Sequence, residues 1–314
     1  MQISPQEIGA WLAAHHAGMV SDLTPLSGGF WSSAFAYRVG GDEFVLRLSD
    51  MREGFEIDRA AMRFTSPAIP VPEIVEMGTA FDRYFAISRR HYGRFIETAP
   101  AAESAAITET LATLLSALRT QTSGRGRDVN WYDPDPSTDM TWHAWLRSGL
   151  VDSPGRTVHG WRAKLAADPR LDRLFNTCEE RIESLLPICP ERRDLIHGDL
   201  LHQNVLVSDD ARRVTAIFSW KCSALGDFLY DVAWCTFWSA WHPAIDPADL
   251  WRRTLTAPDL SEADRRDAPL RHHCYELQIA ASHLGWNAWT GNDQEMVRLA
   301  TETDQLLDRG PLPG

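Results

Sequence analysis

The stretch that most confines this chain is residues 195–234. It holds His197, Asp199 and Asn204 in the pattern His-x-Asp-x-x-x-x-Asn. Three apolar residues follow, Val205-Leu206-Val207, then Ser208-Asp209-Asp210 with the composition of a turn, then a returning β-rich run over residues 214–218. A hairpin of that length carries residues 218–220 back beside Asn204. The fold must therefore root a polar loop on a hairpin, with Asp199 and Asn204 in the loop and Ser219 opposite Asn204.

The rest of the chain is long enough to build around that loop. Its 314 residues suffice for one large core or two lobes. Hydrophobic content of 44% and charged content of 24% are those of a globular protein. The net charge of −12 argues against nucleic-acid and anionic-membrane partners and favours a cationic or neutral one. Five cysteines lie far apart with no C-x-x-C, as expected for reduced thiols in the cytoplasm. No basic segment followed by an apolar run opens the chain, and no apolar stretch approaches the ~20 residues of a membrane span.

Taken in order, the sequence predicts a sheet-rich part followed by a helical part. Ser4-Pro5-Gln6-Glu7 reads as a capping box opening a helix. Residues 23–26, 34–39 and 43–48 read as strands, the last two joined across Gly40-Gly41-Asp42. Between the first two lies Ser27-Gly28-Gly29-Phe30-Trp31-Ser32-Ser33, a glycine-bearing loop whose amides can fold over phosphates. Arg47 sits near the end of the third strand. Residues 54–65 read as a helix carrying an acid that can orient Arg47, with Asp58 the choice and Glu56 the runner-up. Ile69-Pro70-Val71-Pro72 stops that helix. Two more strands, at 74–77 and 84–88, lead into Ser88-Arg89-Arg90-His91-Tyr92-Gly93, a loop between lobes placed to meet an adenine edge with backbone groups. Helices are expected over 102–118, 170–186 and 272–290, and a last one capped by Asn292 and stopped at Gly310-Pro311. The lobe boundary is expected near residue 90, giving an N-terminal lobe over 1–90 and a C-terminal lobe over 91–314.

The central loop supplies the chemistry. Phosphoryl transfer to a hydroxyl needs a carboxylate near the attacking oxygen, ligands that hold Mg²⁺ on the phosphates, and cations that offset developing charge. Asp199 suits the first task, the amide oxygen of Asn204 the second, and Arg47 the third. His197 reads as a brace for the loop. The spacing is that of kinase catalytic loops, and no D-F-G to A-P-E activation segment accompanies it.

The chain resembles the aminoglycoside phosphotransferase family of small-molecule kinases. The resemblance is carried by residues 27–33, 44–48, 69–72, 197–204, by Ile217-Phe218-Ser219-Trp220 and by Gly226-Asp227-Phe228-Leu229-Tyr230-Asp231. Gly54-Phe55 leading to Asp58-Arg59, Ala86-Ile87-Ser88-Arg89-Arg90, and a third strand ending in Arg where most members have Lys mark one branch of that family. The resemblance implies an α+β, bilobal, protein-kinase-like fold, with an antiparallel N-terminal sheet bearing one helix and a larger, mainly helical C-terminal lobe. It implies ATP or GTP as donor, Mg²⁺, and a hydroxylated, often cationic small-molecule acceptor, and the chain is expected to act as a cytoplasmic monomer. Nucleotide contacts are expected at Ser27, Gly28, Gly29, Ser32, Arg47, Asp58, Ser88 and Arg90. Asp199 is the expected catalytic base, with His197 beside it, and Asn204 a metal ligand. Asp231, Glu276 and Trp238 are the candidates for acceptor contacts.

One departure stands out. Where the family has Ile-Asp-Trp, this chain has Phe218-Ser219-Trp220. The missing acid is the main metal-binding carboxylate. A serine hydroxyl can ligate Mg²⁺ but brings no charge. Slow transfer, or nucleotide and ligand binding without transfer, is the expectation this substitution adds. Asp227 is not expected to substitute, since family members carry that acid together with the lost one.

Overall fold

The computed structural model describes residues 3–26, 29–121, 129–132 and 140–314. In chain order its first elements are α1 (Pro5–His15), β1 (Val20–Leu26), β2 (Ser33–Val39), β3 (Asp42–Ser49), α2 (Glu53–Ala61), β4 (Ile74–Ala80), β5 (Arg83–Arg89) and β6 (Arg94–Phe95). Then come α3 (Ser104–Arg119), α4 (Trp142–Ser148), α5 (Trp161–Ala166), α6 (Pro169–Leu185), β7 (Asp194–Ile196), β8 (Val205–Val207), β9 (Val214–Ile217) and β10 (Ala224–Gly226). The last are α7 (Leu229–Trp238), α8 (Pro247–Leu255), α9 (Glu262–Thr290) and α10 (Asp293–Arg309).

These elements form two compact units, each discontinuous in sequence: Met1–Ala99 with Asp199–Cys222, and Pro100–Gly198 with Ser223–Gly314. The first break lies at Ala99 rather than near residue 90. The segment Asp199–Cys222 packs with the first unit. The reason is local: β8 pairs with β6, and the Ile217 amide donates to the Pro70 carbonyl at 2.9 Å.

The first unit is built on an antiparallel sheet of order β1-β2-β3-β5-β4. Period-two alternation sorts its side chains. Phe35, Tyr37, Leu46, Leu48, Phe85 and Ile87 pack on one face against Ile8 and Leu12 of α1. Each such burial stabilises the fold by roughly 1.5–3 kcal/mol. The capping box at Ser4 and Glu7 starts α1 as expected. Ala86 and Ile74 share a second cluster with Phe55 of α2, joined by Met62, Met77 and Tyr84. Arg47, between Leu46 and Leu48, faces the α2 side, and its guanidinium lies 5.1 Å over the Phe55 ring.

The second unit is mainly helical. The 29-residue α9 begins well before the expected residue 272, at the Ser261 cap, and runs through Pro269. Its first turns are polar, Glu262 to Asp267, so they carry no apolar stripe to read. Side-chain bonds hold them instead: Arg271 to Asp264 at 2.9 Å and Arg265 to the Leu255 carbonyl at 2.9 Å. The centre of this unit buries a charged cluster. Asp227, fully buried, accepts from Arg271 at 2.7 and 2.8 Å and from the Tyr275 hydroxyl at 2.7 Å. Asp227 is thus committed inside the second unit. The last helix is capped by Asn292 and stops at Gly310. Among the described residues, no helix is long and apolar enough to cross a membrane.

Candidate active site

The hairpin β8–β9 places the loop's polar groups. Val205 pairs with Ile217, and the Phe218 amide donates to the Asn204 carbonyl at 2.8 Å. Ser219 is therefore the next residue along from a direct backbone partner of Asn204. Its φ of 62° lies in the left-handed region, which is unusual for serine.

Asp199 and Asn204 meet side chain to side chain. Asn204 Nδ2 donates to Asp199 Oδ2 at 2.8 Å and to the Asp199 carbonyl at 2.8 Å. An amide whose NH₂ is spent this way presents Oδ1 as its remaining donor atom for a cation. The other carboxylate oxygen, Asp199 Oδ1, lies 2.9 Å from His202 Nδ1. Two successive residues of the loop, His202 and Gln203, have φ of 61° and 66°. The Gln203 amide is pinned by Glu97 Oε1 at 2.6 Å. Glu97 Oε2 is buried without a hydrogen-bond partner, and burial raises this carboxyl above its ordinary range. His202, Gln203 and Glu97 were not expected at the site. The sequence spacing carries no sign of them, because a left-handed backbone at His and Gln is decided by what surrounds the loop.

A second constellation in the same unit joins Arg47 to Asp58. Arg47 Nη1 donates to Asp58 Oδ2 at 2.6 Å, with side chains 18% and 8% exposed. Asp58 Oδ1 accepts the Trp220 amide at 2.8 Å. Glu56, the runner-up, pairs with Arg52 at 2.7 Å instead. Arg47 and Asp58 line a tight cleft with Val71, Pro72, Phe218 and Trp220.

Of the remaining nucleotide candidates, the described ones lie on the loop before β2, in β5 and just after it. Ser27 and Gly28 lie outside the described residues. Gly29 has φ of 88°, and a Cβ there would come within 3.0 Å of the Ser32 carbonyl, so the turn requires glycine. The loop is tied to the sheet by the Ser49 hydroxyl, which donates to the Trp31 carbonyl at 2.9 Å. Ser88 is buried inside β5 between Val45 and Ile74. The Arg90 guanidinium turns to Glu43 at 3.4 Å and stacks 4.7 Å over Tyr92. Ser88 lies on the same sheet face as Arg47, two residues along β5 from Arg47's partner Ala86.

The three acceptor candidates are all buried in the second unit. Asp231 is 2% exposed, and its two oxygens accept the amides of His197 at 2.7 Å and Gly198 at 2.8 Å. It braces the peptide that leads into Asp199 and presents no carboxylate to a ligand. His197 is likewise fully buried. Glu276, 2% exposed, accepts from Thr236 at 3.1 Å and from Arg309 at 2.9 Å. These three residues line a cavity of about 750 Å³ with Trp251 and Leu306. Trp238 is 4% exposed and packs among Trp234, Phe237, Trp241 and His283, with ring centroids 4.8–6.1 Å away. The aromatic stripe is core in this unit. The expectation that these side chains face the acceptor fails for Asp231 on one count: its charge is consumed by two backbone donors.

As a set, the first unit offers a carboxylate, an amide oxygen, a hydroxyl and a paired arginine. Among the described residues, no group of three His, Cys, Asp or Glu is arranged to hold a metal. The donors near Asn204 therefore fit a cation brought in on phosphates and waters, and not one held by the chain alone.

Residues 22–269 match the model of the phosphotransferase enzyme family. Hygromycin-B 4-O-kinase of Escherichia coli is 32% identical over 307 residues, covering 93% of this chain and 82% of that protein. The crystal structure of aminoglycoside phosphotransferase APH(4)-Ia superposes with a TM-score of 0.78 at 26% identity, covering 97% of this chain and 99% of that one. A thermostable mutant of the same enzyme, in ternary complex with AMP-PNP and hygromycin B, gives a TM-score of 0.76 at 27% identity over 95% and 97% of the two chains.

Proposed function

Because this chain belongs to the phosphotransferase enzyme family, we propose that it transfers the γ-phosphoryl group of ATP or GTP to a hydroxyl of an aminoglycoside such as hygromycin B. The observation that carries this reading is the held carboxylate: Asp199 Oδ2 is fixed by Asn204 Nδ2 at 2.8 Å in the loop that begins at His197. A cytoplasmic monomer with access to the nucleotide pool is the form in which we expect it to act.

In this reading the acceptor hydroxyl oxygen bonds to the γ-phosphorus as the bond to the β–γ bridging oxygen breaks. The hydroxyl proton passes to the Asp199 carboxylate, and the nucleoside diphosphate leaves. Such transfer depends on positioning and electrostatic stabilisation more than on covalent chemistry. Arg47, oriented by Asp58, grips the phosphates. Asn204 Oδ1 and the Ser219 hydroxyl would hold Mg²⁺, which when bound neutralises phosphate charge. The backbone of the Gly29 turn covers the nucleotide.

The test is nucleotide-dependent phosphorylation across hygromycin B and a panel of other aminoglycosides, read by the mass gain of one phosphoryl group. Failure of every member to gain that mass overturns the acceptor class. Ser219 favours a second reading, in which the chain binds nucleotide and acceptor but transfers slowly or not at all. Nucleotide binding with turnover far below the roughly 1–100 s⁻¹ usual for kinases would select it.

A further inference from the structure

We propose that His202 is a positioning residue for the reaction: its ring holds the Asp199 carboxylate in the orientation that receives the acceptor proton. The inference rests on the reading of Asp199 as the base-like carboxylate. The one contact that carries it is His202 Nδ1 to Asp199 Oδ1 at 2.9 Å.

A carboxylate of this kind has a single soft torsion about its Cβ–Cγ bond. One hydrogen bond fixes one oxygen and leaves the plane free to rock. Two bonds to different oxygens fix the plane. Asn204 supplies the first, on Oδ2, and His202 the second, on Oδ1. Asp199 in its ionised form accepts only, so the ring must present Nδ1–H.

The backbone supports a purpose for this placement. His202 and Gln203 both occupy the left-handed region, with φ of 61° and 66°. Such residues are strained and persist only where their surroundings impose them. The surroundings here are the Glu97 carboxylate on the Gln203 amide at 2.6 Å. That bond holds the turn in which His202, three residues after Asp199, folds its ring back onto the carboxylate. A relaxed loop would need neither the strain nor the buried Glu97.

Asparagine can place its Nδ2 close to where the histidine Nδ1 lies, so it tests the hydrogen bond apart from the ring. Single-turnover and steady-state rates with hygromycin B and ATP are measured for wild type, His202→Ala, His202→Asn and Asp199→Asn. The expectation is a roughly tenfold lower kcat for His202→Ala with both KM values nearly unchanged, and recovery of most of that loss in His202→Asn. Loss of orientation by about 1 Å is worth up to a hundredfold, so tenfold is a modest demand. A kcat for His202→Ala within twofold of wild type overturns the proposal, as does a His202→Asn rate no better than that of alanine. Wild-type turnover in Asp199→Asn overturns the underlying reading instead. A second readout needs no turnover: ¹⁵N chemical shifts of the His202 ring at pH 8. The Nδ1–H form in wild type, reverting to Nε2–H in Asp199→Ala, supports the contact, and Nε2–H in both overturns it.

Discussion

Asp58 Oδ1 accepts the backbone N–H of Trp220 at 2.8 Å, across 162 residues of sequence. Its other oxygen holds Arg47 at 2.6 Å. One buried carboxylate thus ties the Arg47 guanidinium to the residue that follows Ser219. Asp58→Ala removes both bonds and leaves Arg47 unpaired. We expect a loss of about 1.5–3 kcal/mol of stability, the usual worth of a hydrogen bond to a charged group, seen as a lower thermal midpoint. Asp58→Asn keeps an acceptor for Trp220 and should lose less stability while still weakening ATP binding. Equal thermal losses in the two variants would contradict the divided role.

Arg47 reaches the phosphates in this reading, so its removal should discriminate between ligands. Arg47→Ala is expected to weaken ATP binding strongly and adenosine binding little, by calorimetry. A uniform loss for both ligands would mark Arg47 as structural only.

Asp199→Asn keeps the shape of the side chain and removes its charge. Turnover should disappear while nucleotide affinity stays nearly unchanged. Measuring both on the same preparation separates a lost proton acceptor from a damaged site, and undiminished turnover would sink the assignment.

Ser219 stands in the left-handed region, where Asp is better tolerated than Ser. Ser219→Asp therefore fits the backbone and adds the charge that the Asn204 amide lacks beside it. Turnover should rise by on the order of a hundredfold, since a metal misplaced by about 1 Å costs that much, and its Mg²⁺ dependence should sharpen. A Mg²⁺ titration of both forms checks this. A serine form already turning over at ordinary kinase rates would show that another group holds the metal.

His272 gives a pH dependence with a definite sign. Burial, aided by Arg309, pushes its imidazole down to about 3. In the unfolded chain it titrates near 6.5. Between these values the unfolded chain binds the extra proton, so stability is full above about pH 6.5 and falls as pH drops toward 3. Buried Glu276, whose carboxyl is raised, works in the opposite sense as pH rises through the carboxylate range. At pH 5 the His272 contribution is a loss of about 2 kcal/mol relative to pH 7. Urea midpoints at pH 7 and pH 5 should differ accordingly in wild type and by less in His272→Gln.

How much was legible beforehand can be judged residue by residue. The hairpin after Asn204 followed from two short apolar runs and a turn of Ser and Asp, because period and turn chemistry are local. The Ser4 capping box and the Asn292 cap were readable for the same reason. Arg47 was placed on a strand, and Asp58 was preferred to Glu56 as its partner; the structure has that pairing at 2.6 Å. Asp231 enters as an acceptor candidate only through the family resemblance, and its burial against two amides is not visible in spacing.

What the sequence determined by itself is the list of groups and their order: a carboxylate, an amide five residues on, a serine at the end of the returning strand, and a strand that carries Arg47. Local periodicity and turn preference suffice for these, since they depend on neighbours within a few residues. What only the tertiary structure decided is how each charge is spent. Asp58 divides between Arg47 and Trp220, Asp231 turns inward to His197 and Gly198, and His202 folds onto Asp199 in a strained turn that Glu97 holds. Those outcomes depend on burial and on partners distant in sequence. A buried carboxylate must find donors wherever the packed chain supplies them, and no pattern along the chain records where that is.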